Sequence, residues 1–271
     1  MFDMDYQSNA IQYSQQRLDS YFVNLQNQFT PGYKAEEAQF HDLVSGYDGR
    51  GAMVQSRSII FEQGEIVKTP NPTNLAIEGN GFFTLHDGVR TQYTRDGRFQ
   101  FKNGELVSQE GLKVQGYQLD NNGNICSEMQ PISLNFDPQT KLYGGKYTGF
   151  HFDSAGKLYG ERATVDPLTG KAVSTTVPLY QVAIASFANP SGLRKSGNTT
   201  FSETENSGAA VVGTAGQGAL GRVHPGSLEM ANVDFAQQAA AIGMAKQNYE
   251  ANFAAFKAMD KLRQTAIGLI K

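Results

Sequence analysis

The glycines and prolines of this 271-residue chain lie almost entirely in its middle. Residues 1–30 contain neither, and residues 228–267 contain only Gly243. Between Pro31 and Gly226 they recur throughout. Both residue types interrupt helices, so this distribution reserves the two ends for helix and the middle for short strands joined by tight turns. The 29 Gly, 12 Tyr and 17 Phe suit such a middle, because aromatic residues favour strands and Gly favours turns. The expected fold class is α+β, with N- and C-terminal helices pairing as a coiled coil and an inserted, mainly β body of stacked hairpins. The expected domains are residues 1–34 (helix), 35–226 (body and connectors) and 227–271 (helix).

The C-terminal segment carries a helical stripe. Phe235, Ile242, Tyr249 and Phe256 recur every seven residues, with Ala245, Met259 and Ala266 at the intervening positions. That is the seam pattern of a coiled coil. Asn252 and Arg263 interrupt it, as polar residues that fix register do. Ala239, Phe253 and Ile267 form a second apolar edge, which implies contact with more than one neighbour. Asn232 or Asp234 is the candidate N-cap. In the N-terminal segment Met4, Ile11, Leu18 and Leu25 keep the same spacing, with Tyr21, Phe22 and Phe29 beside them. Its first half is polar, so this helix needs a partner to be ordered. Thr30-Pro31-Gly32 ends it. The residues expected at subunit interfaces are Ile11, Leu18, Leu25, Phe235, Ile242, Tyr249, Phe256 and Met259.

In the middle, Asp87-Gly88, Asp96-Gly97, Asn103-Gly104 and Asn122-Gly123 are hairpin dipeptides between apolar alternations. A strand-turn-strand unit recurs at Phe99 to Leu106, Tyr117 to Ile125 and Phe150 to Leu158. Residues 179–185 read as a further strand. Residues 202–226 read as an irregular connector back to the helix. Helical, partner-seeking ends around a β body fit a subunit that polymerises through its termini better than an enzyme.

Chemical motifs are weak. Charged residues are 18 % and net charge is −3, with no basic excess to neutralise phosphates, so nucleic acid is not an expected partner. One cysteine, Cys126, excludes an internal disulfide or a multi-cysteine metal site, and reads as a small semi-buried residue. His41, His86, His151 and His224 are scattered. Residues 216–221 fit G-x-G-x-x-G, but no apolar strand precedes them and Pro225 follows, so a turn is expected. Asp120-Asn121-Asn122-Gly123 imitates a calcium loop with its Gly misplaced, and also reads as a turn. Ser154-Ala155-Gly156-Lys157 matches S-x-x-K without its companion motifs. No catalytic residue, cofactor or metal is expected. No apolar run reaches the length of a membrane span, and Met1 to Tyr6 lacks the basic and apolar regions of a cleaved signal.

Three stretches resemble the axial proteins of the bacterial flagellum, the rod and hook subunits. The first is Asn24-Leu25 followed by Thr30-Pro31-Gly32-Tyr33-Lys34. The second runs through Leu75-Ala76-Ile77-Glu78-Gly79-Asn80-Gly81-Phe82-Phe83 and Tyr93-Thr94-Arg95-Asp96-Gly97-Arg98-Phe99. The third is Phe187 to Leu193, then Leu228-Glu229-Met230-Ala231-Asn232-Val233-Asp234 and Gln247 to Asn252. The N-terminal box lacks its second Asn, and Met230-Ala231 stands where Glu/Gln-Ser is common.

The resemblance implies terminal helices paired in an inner layer around an export channel, with the β body outside. It implies a rod subunit, distal-rod-like, that transmits torque. The expected partners are copies of itself, other rod and hook subunits, surrounding ring proteins and the flagellar type III export apparatus, with no membrane insertion. The expected place is the periplasmic basal body. A hook subunit is the alternative, but about a hundred residues from Phe83 to Leu179 are already used by the hairpins and leave little for a hook's outer domain. A secreted β-rich binding protein is a further alternative.

Overall fold

A computed structural model of the chain describes residues 4–43, 52–137, 139–165 and 172–269. Met1, Phe2, Asp3 and Ile270 lie outside the described residues. The chain forms two compact units. One comprises the chain up to Phe29, Lys34–Ile60 and Asn232 onward. The other comprises Thr30–Tyr33 and Phe61–Ala231.

The helical unit contains α1 (Met4–Gln26) and α2 (Phe235–Gly268). Asp234 caps α2: its carboxylate accepts from the N–H groups of Ala236 (2.8 Å) and Gln237 (3.1 Å), which have no helical acceptor. The helices pack antiparallel. Asn24, near the end of α1, donates to Gln238 at the start of α2 (3.4 Å), whereas Asn252 donates to Ser14 (3.1 Å). An antiparallel ribbon, Glu36–Leu43 with Ala52–Ile59, completes this unit. The sequence reading assigns this ribbon to the body, whereas Lys34–Ile60 belongs to the helical unit.

The β unit is organised on one long strand, Ala172–Ser186. It pairs in turn with Lys157–Val165, Lys113–Leu119, Phe82–His86 and Val211–Thr214. The expected hairpins are present at Asn103-Gly104, at Asn122-Gly123 and around Gly156. They are joined edge to edge in a single twelve-stranded sheet rather than stacked as separate repeats. Asn103 and Gly104 both take positive φ (51° and 80°), as a two-residue hairpin of this hand requires. Asp96-Gly97 is not a hairpin. A side chain at Gly97 would meet the carbonyl oxygen of Leu75, and the Leu75 N–H donates to the Gly97 carbonyl (3.0 Å). Residues 202–226 are more regular than a connector. They contain strands Val211–Thr214 and Arg222–Pro225, the latter paired with Leu75–Glu78. The C-terminal helix does not begin at residue 227, because Ser227–Glu229 is a strand paired with Ile66–Lys68.

Alternation along Phe82–His86 sends neighbouring side chains to opposite faces. Phe83 enters the main core with Leu85, Leu106, Leu158, Val182 and Ile184, and meets Phe99 edge-on at 5.0 Å. Phe82 enters an aromatic cluster with Phe61, Phe187 and Phe201, at centroid distances of 5.3, 5.8 and 6.0 Å. Each fully buried Phe contributes roughly 2–3 kcal/mol by removal of apolar surface from water.

Candidate functional site

The residues singled out in the sequence fall into a helix seam in one unit and a buried polar junction in the other. Along α2 the seam is the least exposed stripe. Ala245 is buried, and Ile242, Tyr249, Asn252, Phe256 and Met259 are half-buried. On α1, Ile11, Leu18, Tyr21 and Leu25 are half-buried on the stripe that includes buried Ser14. Asn252, read as a register residue, donates to the Ser14 hydroxyl, which itself donates to the Ala10 carbonyl (2.9 Å). Phe235 is 60 % exposed. It stands on the first turn of α2, one turn before Gln238, where the described contact with Asn24 begins. The second edge is also exposed: Ala239, Phe253 and Ile267 face water, as do Phe22, Phe29, Met244 and Leu262.

Two motif asparagines splice this unit together. The buried Asn24 side chain acts as a peptide mimic, accepting from the Glu36 N–H and donating to the Glu36 carbonyl, both at 2.9 Å. Asn232 accepts from the Ala35 N–H (2.8 Å) and donates to the Ile60 carbonyl (2.7 Å). A carboxylate in either place has no proton to donate, so the amide is required. Val233, half-buried, precedes the Asp234 cap.

In the β unit the central group is a buried ion pair, Arg95 with Glu229 at 3.1 Å, their side chains 6 % and 0 % exposed. Sequence reasoning placed both in family motifs but did not pair them. Arg95 also donates to the carbonyls of Ile77 (3.3 Å) and Gly79 (2.7 Å), and its guanidinium lies 5.2 Å from the Phe82 ring centre. Burial lowers the Arg95 pKa from its ordinary value, while Glu229 opposes that shift. The Glu229 carboxylate accepts from the Gly64 N–H (3.0 Å), and its backbone carbonyl accepts from Gly32 (2.8 Å). Gly32 has φ of +71°, and a side chain there would collide with the backbone of Asp96. Tyr33 and Lys34 are buried, and Lys195 covers the Tyr33 ring at 4.7 Å. Gly79 and Gly81 take left-handed φ values that favour Gly, and Leu228 is buried in the strand opposite Val67.

The remaining motifs resolve into turns. The Asp120 carboxylate is held below its ordinary pKa mainly by the Asn124 N–H, with Asn122 adding a further bond, so it caps its own loop. Residues 216–221 close on themselves through Gly216 N–H to Gly221 carbonyl (2.9 Å). Cys126 is exposed rather than semi-buried, because its strand Ile125–Pro131 lies at a sheet edge and pairs only with Lys113–Leu119 among the described residues. His151 meets Glu161 at 3.0 Å and stacks on Tyr159, and His224 meets Glu78 at 2.7 Å. His41 lies in the strand Glu36–Leu43. No described helix is long and apolar enough to cross a membrane.

Comparison with known proteins adds the family. Residues 76–160 match the model of the flagellar hook protein FlgE/F/G D1 domain, and residues 224–269 match the flagellar basal body rod FlgEFG protein C-terminal model. The chain is 29 % identical to the flagellar basal-body rod protein FlgG of Borreliella burgdorferi, over 92 % of this chain and 91 % of that one. It is 30 % identical to FlgG of Bacillus subtilis, over 94 % of each. The flagellar hook protein FlgE of B. burgdorferi is 43 % identical, but only across 34 % of this chain and 21 % of the hook protein. The resemblance read from the three motif stretches is thereby borne out, and the chain belongs to the flagellar rod and hook protein family.

Proposed function

We propose that this chain is a structural subunit of the flagellar rod. The observation that carries the reading is the extent of the match: rod proteins align over nearly their whole length, the hook protein over a fifth of its own. The family is structural rather than enzymatic. In this reading copies of the chain assemble helically with one another and with other rod and hook subunits. The shaft is hollow, transmits torque and encloses the export channel. Subunits reach it through the flagellar type III apparatus, and ring proteins surround it in the periplasm.

The helical unit is the element proposed to polymerise, with its antiparallel pair extending into coiled-coil contacts between subunits. The exposed Phe22, Phe235, Met244, Phe253, Leu262 and Ile267 on the helices, with Phe29 in the turn after α1, support this, because large exposed apolar side chains favour burial by neighbours. Many such contacts, each modest, resist shear together. The β unit is proposed to form the outer layer. That unit comprises Thr30–Tyr33 and Phe61–Ala231.

Labelling the chain in isolated hook-basal bodies tests the reading. Signal confined to the straight segment within the rings is expected. Signal along the curved hook overturns the rod in favour of the hook.

A further inference from the structure

We propose that Arg95 and Glu229 form a latch fastening the three segments by which the chain passes between its two units, and that this latch opens cooperatively while the sheet core stays closed. The units exchange chain at Phe29/Thr30, Tyr33/Lys34, Ile60/Phe61 and Ala231/Asn232. Every passage therefore borders Thr30–Tyr33, the stretch starting at Phe61, or the stretch ending at Ala231. All three converge on one buried pair. Glu229 holds the first through its backbone carbonyl and the Gly32 N–H (2.8 Å). It holds the second through its carboxylate and the Gly64 N–H (3.0 Å). It belongs to the third, whose next residue, Met230, donates to the Glu65 carbonyl (2.8 Å).

Arg95 ties this cluster to the sheet. It grips the carbonyls of Ile77 and Gly79, while Gln63 donates to the Ile77 carbonyl (2.7 Å) and accepts from the Gly79 N–H (2.8 Å). The crossings are backbone against backbone. An added β-carbon would stand 2.2 Å from the Asp96 nitrogen at Gly32 and 2.0 Å from the Met230 oxygen at Gly64. The apolar anchor of the second segment, Phe61 against Phe82 and Phe201, belongs to the aromatic cluster rather than to the main core, and the ion pair is the polar element that all three segments share. The main core uses other residues: none of the three segments contributes to the cluster around Phe83. Packing separate from the main core and a shared polar key are conditions for a local cooperative opening below the global unfolding free energy.

The proposal rests on the β unit alone and holds whether or not the chain builds a rod. Amide hydrogen exchange on the full chain tests it. In Glu229→Gln the buried guanidinium loses its counter-charge. The amides of Gly32, Gly64 and Met230 are expected to exchange together, about 100-fold or more faster than in the parent. The core amides of Val182 and Ile132, which donate to Gly156 and Val114, are expected to change less than about tenfold. Acceleration at Gly64 alone reduces the pair to a local contact and overturns the latch. Equal acceleration at Val182 and Ile132 overturns it too, because the pair then belongs to the global core. If Glu229→Gln does not fold, Glu229→Asp keeps the charge and shortens the reach, and the same three amides are expected to respond. Failure of both variants to fold also overturns the separation of latch from core.

Discussion

The two units bury different chemistry. In the β unit the interior is Phe83, Phe99, Leu85, Leu106, Leu158 and Ile184, each essentially inaccessible. Among the described residues of the helical unit, the buried helix positions are Ser14, Ser20 and Asn24 on α1 and Ala245 on α2. The described large apolar side chains of the two helices are half-buried or exposed. The first unit satisfies its hydrophobic surface internally. The second keeps small and polar groups where its helices meet and leaves apolar surface for neighbours. A chain that must be soluble as one copy and cohesive as many gains from confining this incompleteness to one unit.

The most severe challenge to the contrast is a charge in the seam. Tyr249→Asp and Phe256→Asp are expected to abolish assembly and swimming, because a carboxylate buried there without a counter-charge costs several kcal/mol. The melting of the β unit is expected to stay within about 2 °C of the parent. Swimming at the parental rate by either variant would show that this stripe faces solvent in the assembly.

The converse change is Phe83→Ala, expected to destabilise the β unit by about 3–5 kcal/mol through a core cavity. Denaturant midpoints followed by tyrosine fluorescence would measure it. A cost below about 1 kcal/mol would mean that the unit is not close-packed around this residue.

Limited proteolysis sharpens the contrast further. In a dilute monomer, cleavage is expected first in the helices and the 36–59 ribbon, leaving a resistant fragment near 61–231. Equal resistance of the helices in a proven monomer would show that they satisfy each other without neighbours.

The smallest effect concerns alkaline pH. Burial, with Glu203 nearby adding to it, raises the Tyr93 phenol from its ordinary 10 to about 12. A raised phenol favours the folded unit below pH 10, and that contribution is lost as pH rises from 10 through 12. The parent is therefore expected to lose about 1–2 kcal/mol more than Tyr93→Phe across that window. Parallel pH-stability curves for the two proteins would remove Tyr93 from the account.

Legibility in the sequence followed the range of the interaction. The helix from Phe235, its cap (Asp234, of the two candidates Asn232 and Asp234) and the Asn103-Gly104 turn are local, and the chain forms them. The strand Ser227–Glu229 was hidden, because its mate Ile66–Lys68 lies some 160 residues away and neither is long enough to show alternation. A separation of 134 residues likewise concealed the Arg95–Glu229 pair, although both residues were already marked by motif. Phe235 kept the heptad spacing yet stays exposed, since periodicity gives a face of a helix but not where its neighbour ends.

The Ala172–Ser186 strand also bears on the timing of folding. It joins four ladders, yet 171 of the chain's 271 residues precede it. A polypeptide emerging from its N-terminus makes its early hairpins while the strand that unites them does not yet exist. Closure then waits on contacts far apart in sequence, the condition that slows folding most. The interval before closure is a window in which the nascent chain remains open, and substitutions that weaken Val182 or Ile184 are expected to lengthen it.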